Sequence, residues 1–349
     1  GIFGDFADGD YGIALDCDIG LEPGRPGPVD DRSVSDDEIE HNYPPGRFCL
    51  ERPEHTTASG VTYFGPALGS QENANSEDAI RARTYIKIGK RAKIMKFVRF
   101  ANGDDAAYGI VDGETVKEIS NSPIGQDYSE TGATYDLNEI KILAPNPRPG
   151  KMLALALNYG SHLLGADRPD RPQPFYKNNN AIIGPGDPIK LPPDAGLVVC
   201  ESELVAIIGK TASKVSEEEA LDYVFGYTGG NDVSAREWQS GAKADTQWWR
   251  AKSSDTFGPT GPFMVTDIDP QNVAIRGLVN GVEGQKCHSS EMIFTTAQAI
   301  SYISRYVTLD PGDMLWTGTS GTTPPISPGG DVTVEIEHVG VLHNPVISA

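Results

Sequence analysis

The stretch LVVCESELVAIIG, residues 197–209, sets two carboxylates into an otherwise apolar run bounded by glycines. Its aliphatic, partly β-branched composition reads as one long strand. Side chains alternate across a strand, so Glu201 and Glu203 point to the same face. Two charged acids side by side in a buried strand would be very costly without compensation. A hard divalent cation offsets that cost, because Mg2+, Mn2+ and Ca2+ all take oxygen ligands. Read by itself, the segment also fits a sheet edge with both acids in water.

Outward from this strand the texture persists. KMLALALNYG (151–160) reads as a strand ending in a polar loop, AIIGPGDPIKLP (181–192) as a strand bracketed by Gly and Pro, and DVTVEIEHVGVL (331–342) as a strand or hairpin. FTTAQAISYISRYVTL (294–309) has the spacing of an amphipathic helix, and SEEEALDYV (216–224) that of a helix start, with Ser216 and Glu219 placed as a capping box. Few helices and no βαβ rhythm point to an α+β fold with a mixed, rolled sheet. Upstream, MKFVRF, AAYGIV and ETVKEI read as three strands joined at Asn102-Gly103 and Asp112-Gly113. They predict a small β-rich N-terminal domain over 95–145, a linker at APNPRPGK, and one larger domain over 146–349. Residues 1–94 are rich in Gly, Pro, Asp and Ser without a sustained pattern, so the expectation there is a disordered or non-native extension. Met95 is the first methionine and the expected biological start, with a leader or fusion remnant before it.

The 349 residues carry a net charge of −20, of which −7 falls in residues 1–94 and −13 in the remainder. That acidity argues against a nucleic-acid partner. Cys17, Cys49, Cys200 and Cys287 are scattered and form no CxxC, which excludes a zinc ribbon or a disulfide scaffold. No apolar run is long enough for a membrane-spanning helix and no signal peptide is visible, so the expected compartment is cytoplasmic.

Further segments carry chemistry. In GYTGGNDVSAREWQ (226–239), Asp232 follows a glycine turn as a third carboxylate, either a metal ligand or the holder of an Asx turn. Arg236 and Gln239 fall on a short helical turn, suited to substrate oxygens or to simple capping and pairing. In RAKSSDTFGPTGP (250–262), Lys252 near a metal would hold an anionic substrate, whereas alone it reads as a surface lysine. His162 in ALNYGSHLLGAD (156–167) is a candidate general base or a structurally satisfied histidine. Thr317, Gly318 and Thr319, after an apolar strand, offer hydroxyls and main-chain N–H groups to a carboxylate, or form a plain turn.

Taken in order, LNYGSH, PFYKNNNAIIGPGDPIKLP, ESELVAIIGK, GYTGGNDVSAREWQ, RAKSSDTFGPTGP, VNGVEGQ, PGDMLWTGTSG and GDVTVEIEHVGVLHN resemble the catalytic domain of the fumarylacetoacetate hydrolase family over about residues 145–347. The resemblance implies a mixed β-roll, a homodimer, and one Mg2+, Mn2+ or Ca2+ held by Glu201, Glu203 and Asp232. It implies Lys252 and His162 as catalytic residues, and substrate contacts from Tyr159, Phe175, Lys177, Arg236, Gln239, Thr317, Gly318 and Thr319. The implied reaction is hydrolytic cleavage of a C–C bond in a small anionic 2,4-dioxo acid, an acylpyruvate or fumarylacetoacetate, with His162 activating water. The alternative is isomerase, tautomerase, decarboxylase or hydratase chemistry on 2-oxo or 2-hydroxy-dienoate acids of aromatic catabolism. Two departures bear on that choice. Gly165 stands where many acylpyruvate-cleaving members place a glutamate, so no acid orients His162 at that spacing, and Ser320 replaces a common proline after the second threonine. Leu163, Leu164 and the Trp248-Trp249 pair are expected to set the substrate's distal group.

Overall fold

The computed structural model describes residues 94–163 and 165–349, so the expectations for residues 1–93, including Cys17 and Cys49, and for Leu164 lie outside the described residues. The strands in chain order are β1 (Lys96–Asn102), β2 (Asp105–Asp112), β3 (Thr115–Ile119), β4 (Glu130–Asp136), β5 (Met152–Ala156), β6 (Gln173–Lys177), β7 (Ile182–Ile183), β8 (Ile189–Leu191) and β9 (Val198–Val199). They continue with β10 (Ser202–Ile208), β11 (Val224–Asn231), β12 (Ser234–Ala235), β13 (Gly258–Val265), β14 (Ala274–Val279), β15 (Val282–His288), β16 (Met314–Trp316), β17 (Asp331–Ile336) and β18 (Gly340–Ser348). Among the described residues the α-helices are α1 (Arg236–Gln239), α2 (Trp249–Ser253) and α3 (Thr296–Ser304).

Ten strands run β4-β3-β2-β1-β13-β11-β10-β16-β5-β6 in one mixed sheet, with β7 added in parallel beside β13. A second sheet runs β15-β14-β17-β18-β8, and β12 and β9 form a short ribbon. The fold is α+β and dominated by sheet. The strands expected as a separate N-terminal unit are continuous with the main sheet, because β1 pairs antiparallel with β13 at Lys96↔Val265 and Phe97↔Met264.

β10 lies between β11 and β16, and all seven of its residues are buried. The reading of this segment as a solvated sheet edge is thereby excluded. Leu204, Ala206 and Ile208 enter one core, which also holds Ile275, Val334 and Leu342 from the second sheet; Val205 and Ile207 enter another, with Met152, Met314 and Trp316. A period of two that is apolar on both faces is the pattern of a strand covered on both sides. Each such aliphatic side chain contributes roughly 1.5–3 kcal/mol on burial. Gly230 lies opposite Glu203 in the β10–β11 register, and a Cβ there would collide with the Trp316 ring and Val205.

Three local expectations are corrected. The long strand over 197–209 breaks at Cys200–Glu201, where side chains replace ladder partners: Glu201 N–H donates to Asn231 Oδ1 (3.0 Å) and Ser202 N–H to Gln285 Oε1 (3.0 Å). AIIGPGDPIKLP divides into β7 and β8 around Gly186, whose left-handed φ of +79° makes the turn. Glu219 N–H donates to Ser216 Oγ (3.3 Å) as the capping spacing requires, yet only a 3-10 turn follows, Ala220–Tyr223, because the chain enters β11 at Val224. The other helix forms as α3 behind a full capping box of Thr295 and Gln298.

Candidate active site

Glu201 leaves the break before β10, Glu203 sits within β10, and Asp232 follows the end of β11. The β10–β11 pairing brings the three together, with one oxygen of each within 4.8 Å of the others, all buried. Main-chain contact between Asp232 N–H and Glu201 O (2.9 Å) fixes the third acid beside the first. The Asx-turn alternative for Asp232 fails, since its carboxylate is taken by two lysines.

Lys252, in the last turn of α2, donates to Glu201 Oε2 (2.7 Å) and Asp232 Oδ2 (2.6 Å). It is 3% exposed, which removes its reading as a surface lysine. Lys177, at the end of β6, donates to Asp232 Oδ1 (2.6 Å), to Phe257 O (3.1 Å) and to Lys252 O. Arg236, at the start of α1, pairs with Glu201 Oε1 (2.6 Å) and donates to Gln239 Oε1 (2.8 Å) and Thr323 Oγ1 (2.7 Å).

These contacts divide the acids. Burial opposes ionisation of Asp232, but the Lys177 and Lys252 ammonium groups outweigh it and hold its carboxyl below the usual range. Burial lowers the Lys177 pKa, with the Lys252 charge adding to the effect, whereas for Lys252 the Asp232 and Glu201 charges overcome burial and raise it. Glu203 is different. Burial, with the charges on Asp232 and Glu201, pushes its carboxyl well above the ordinary range. It accepts Gly318 N–H at Oε2 (2.7 Å) and, among the described residues, has no ion pair. A divalent cation between the three acids would supply the missing positive charge, and an all-oxygen donor set suits Mg2+, Mn2+ or Ca2+.

The three carboxylates and Lys252 line a cavity of about 440 Å³. His162, Phe175, Arg236, Gln239 and Thr319 also reach its wall, as do Leu163 and Trp248. Trp248 meets Phe175 edge-on at 5.5 Å, and its indole N–H donates to Gln239 O (3.1 Å). Its neighbour Trp249 is 60% exposed and lies outside the cavity wall, so only one member of that pair faces the cavity.

Four expected substrate contacts fall behind the wall. Tyr159 is fully buried, and burial raises its hydroxyl well above the usual range. Lys177 lies behind Asp232. Thr317 Oγ1 donates to Leu204 O (2.8 Å), and Gly318 spends its N–H on Glu203. Two residues carry structural work that no motif announced. Asn158 Nδ2 donates to Thr317 O (2.7 Å), and Gln285 Nε2 donates to Thr319 Oγ1 (2.8 Å) and Ser320 O (2.9 Å). Both stand inside quoted segments, LNYGSH and VNGVEGQ, but their partners are 159, 34 and 35 positions away.

His162 closes the 3-10 turn Gly160–His162, and its Nδ1 lies 2.6 Å from the Gly321 carbonyl oxygen. A carbonyl only accepts, so Nδ1 carries the hydrogen. Among the described residues no carboxylate bonds this histidine.

Known proteins share this arrangement of strands. The family Fumarylacetoacetate (FAA) hydrolase C-terminal matches residues 151–347, and the family Rv2993c-like, N-terminal, matches residues 95–145. Protein Rv2993c of Mycobacterium tuberculosis is 40% identical over 265 residues, 72% of this chain and 98% of that protein. The Xenopus laevis protein named oxaloacetate tautomerase fahd2, mitochondrial, is 40% identical over 222 residues, 60% of this chain and 69% of that protein. Among solved structures, 2-hydroxyhepta-2,4-diene-1,7-dioate isomerase from Mycobacterium marinum is 40% identical with a TM-score of 0.66, covering 73% of this chain and 98% of its own. Maleylpyruvate hydrolase from Sphingobium sp. SYK-6, in complex with manganese(II) and pyruvate, is 28% identical with a TM-score of 0.61, covering 73% of this chain and all of its own. The match over more than half of the sequence, together with the buried acid triad, places this chain in the fumarylacetoacetate hydrolase family.

Proposed function

We propose that the protein is a divalent-metal-dependent tautomerase or isomerase of small anionic 2-oxo acids. The observation that carries this reading is the triad of Glu201, Glu203 and Asp232 opening into a cavity shared with Lys252 and His162. A bound Mg2+, Mn2+ or Ca2+ would act as a Lewis acid on the substrate's oxygens. Arg236, Gln239 and Thr319 are placed to bind and orient the substrate, and Lys252 adds a fixed positive charge beside the developing enolate oxygen. Leu163, Phe175 and Trp248 give the rest of the cavity an apolar lining.

In the neutral ring, with Nδ1–H given to Gly321, His162 Nε2 takes the proton from the carbon next to the keto group. The C–H electron pair becomes the enol double bond, and the keto oxygen takes the negative charge. The same proton then returns from Nε2 to that oxygen, or to a carbon further along a conjugated chain. Neither direction consumes water. Two relatives of 40% identity bear the names of a tautomerase and an isomerase, which supports this order of preference.

Hydrolytic C–C cleavage is the second reading, favoured by the maleylpyruvate hydrolase neighbour and by the histidine's place at the cavity. An ultraviolet assay separates the two. Oxaloacetate and 2-hydroxy-dienoates are followed for enol loss or gain, and acylpyruvates for release of pyruvate, each with EDTA and then Mg2+ or Mn2+ restored. Metal-dependent keto–enol exchange without cleavage fits the first reading; pyruvate release from an acylpyruvate replaces it with the second.

A further inference from the structure

The segment after β16 touches the active site from three sides. Gly318 N–H meets Glu203, Thr323 Oγ1 meets the Arg236 guanidinium, and between them both main-chain polar groups of Gly321 are taken by neighbours on one 3-10 turn. Ser161 Oγ accepts Gly321 N–H (3.0 Å), and His162 Nδ1–H donates to Gly321 O (2.6 Å). Gly321 has a left-handed φ of +60°, which suits glycine and turns its N–H and carbonyl toward that turn. Gly165, three positions after His162, has no side chain to bond the imidazole.

We infer that the Gly321 peptide, gripped by Ser161 and His162 together, is the positioning partner of His162, selecting the Nδ1–H tautomer of the neutral ring so that Nε2 is the nitrogen offered to the cavity. A free neutral imidazole chooses between two tautomers, and an obligate acceptor at one nitrogen decides between them. Ser161 is then a positioning residue. It fixes the carbonyl that fixes the ring, and it has no place in the cavity wall. A carbonyl orients the ring as a carboxylate does but brings no full charge to stabilise an imidazolium. The clasp sets the orientation of the ring for proton transfer in either direction, and its expected effect on oxaloacetate exchange rests on the tautomerase reading.

The test begins with the full chain in Mg2+, labelled with 15N in its histidines. Long-range proton–nitrogen spectra assign the His162 ring as the signals lost in His162→Gln. A pyrrole-type Nδ1 and a pyridine-type Nε2 are expected. The reverse pattern overturns the inference, whatever reaction the enzyme catalyses. Ser161→Ala removes one hydrogen bond worth about 1 kcal/mol, so kcat for oxaloacetate exchange is expected to fall about fivefold. KM should stay within about twofold, because Ser161 does not touch substrate, and Ser161→Thr, which keeps the hydroxyl, should restore kcat. Loss of Ser161 with kcat unchanged overturns the positioning role. An Nδ1–H ring in a protein that cleaves acylpyruvates would leave the clasp standing and refute only the tautomerase reading.

Discussion

Replacing Glu203 by glutamine tests whether the acid triad is built for a cation. Glu203 is buried, without an ion pair among the described residues, and its carboxyl is pushed well above the ordinary range. Each pH unit between the unfolded value near 4.3 and the raised folded value costs the metal-free protein about 1.4 kcal/mol. Glutamine removes that cost and keeps an oxygen for Gly318 N–H. The metal-free variant should therefore melt above the metal-free parent, by about 2–4 °C for each 1 kcal/mol relieved in a fold of this size. Metal should have the opposite effect. At a hundred times its Kd, a metal stabilises the parent by about 2.7 kcal/mol. Loss of one carboxylate ligand should weaken binding by about a hundredfold or more, since even outer contacts to a metal site cost 10–100-fold. At the same metal concentration the variant then gains only about 0.4 kcal/mol. Differential scanning fluorimetry in EDTA and in Mn2+, with calorimetric titration for Kd, reads both effects. A variant that melts below the parent in EDTA and keeps the full Mn2+ shift would refute the reasoning, because Glu203 would then be a structural anion and not a ligand.

The same group sets a pH dependence. Its folded pKa lies above its unfolded value, so its contribution to metal-free stability is complete below about pH 4.3 and is lost as pH rises through the folded pKa. Over that range metal binding displaces a proton, so calorimetry in two buffers should show proton release and an affinity that rises with pH. Lys252→Met takes one of two cationic partners from each of Glu201 and Asp232, which keep Arg236 and Lys177; a buried pair that loses one member costs up to about 3–5 kcal/mol, and turnover should fall by about a hundredfold or more. Thermal melts and the exchange assay check it, and a variant with parental stability would deny the buried pairing. Trp248 has a left-handed φ of +54°, a conformation costing roughly 1–2 kcal/mol outside glycine. Trp248→Gly should thus be more stable than Trp248→Ala, although both lose the Phe175 contact, and both should accept 2-oxo acids with bulkier distal groups; equal melting of the two would remove the strain.

How much of this could be read in the residues depended on the range of the contact. Glu201 and Glu203 are two positions apart, so the period of a strand was enough to put them together, even though the strand breaks at Glu201. Asp232 and Lys252 carried a charge and a glycine-rich context that marked them as candidates. Tyr159, Lys177, Thr317 and Gly318 stand in the right segments, but the β5, β6 and β16 backbones turn them behind the cavity wall, a matter of packing that spacing does not encode. Asn158, Gln285 and Gly321 are the converse. Their work is to satisfy main-chain groups of a distant loop or to offer their own, and a glycine or amide gives no sign in sequence of which peptide it will meet. The helix expected after Ser216 shows a further limit. A cap fixes where a helix starts, but β11 decided where it had to stop.

The arithmetic of charge bears on how so acidic a protein would host the anionic substrate proposed for it. The chain carries −20, and the cavity lies among three acids, yet those acids face Lys177, Lys252 and Arg236. With all three carboxylates ionised, the fixed charges of the site cancel against that negative background. Occupation by a divalent cation would bring that centre to +2, the complement of a dicarboxylate such as oxaloacetate. Burial favours the protonated form of Glu203, and with that proton in place the site carries +1, so a divalent cation that displaces it would raise the charge of the site by one unit. Metal and anion are thus coupled through the charge of the site: the cation raises the complement that a dicarboxylate would meet, inside a surface that otherwise repels it.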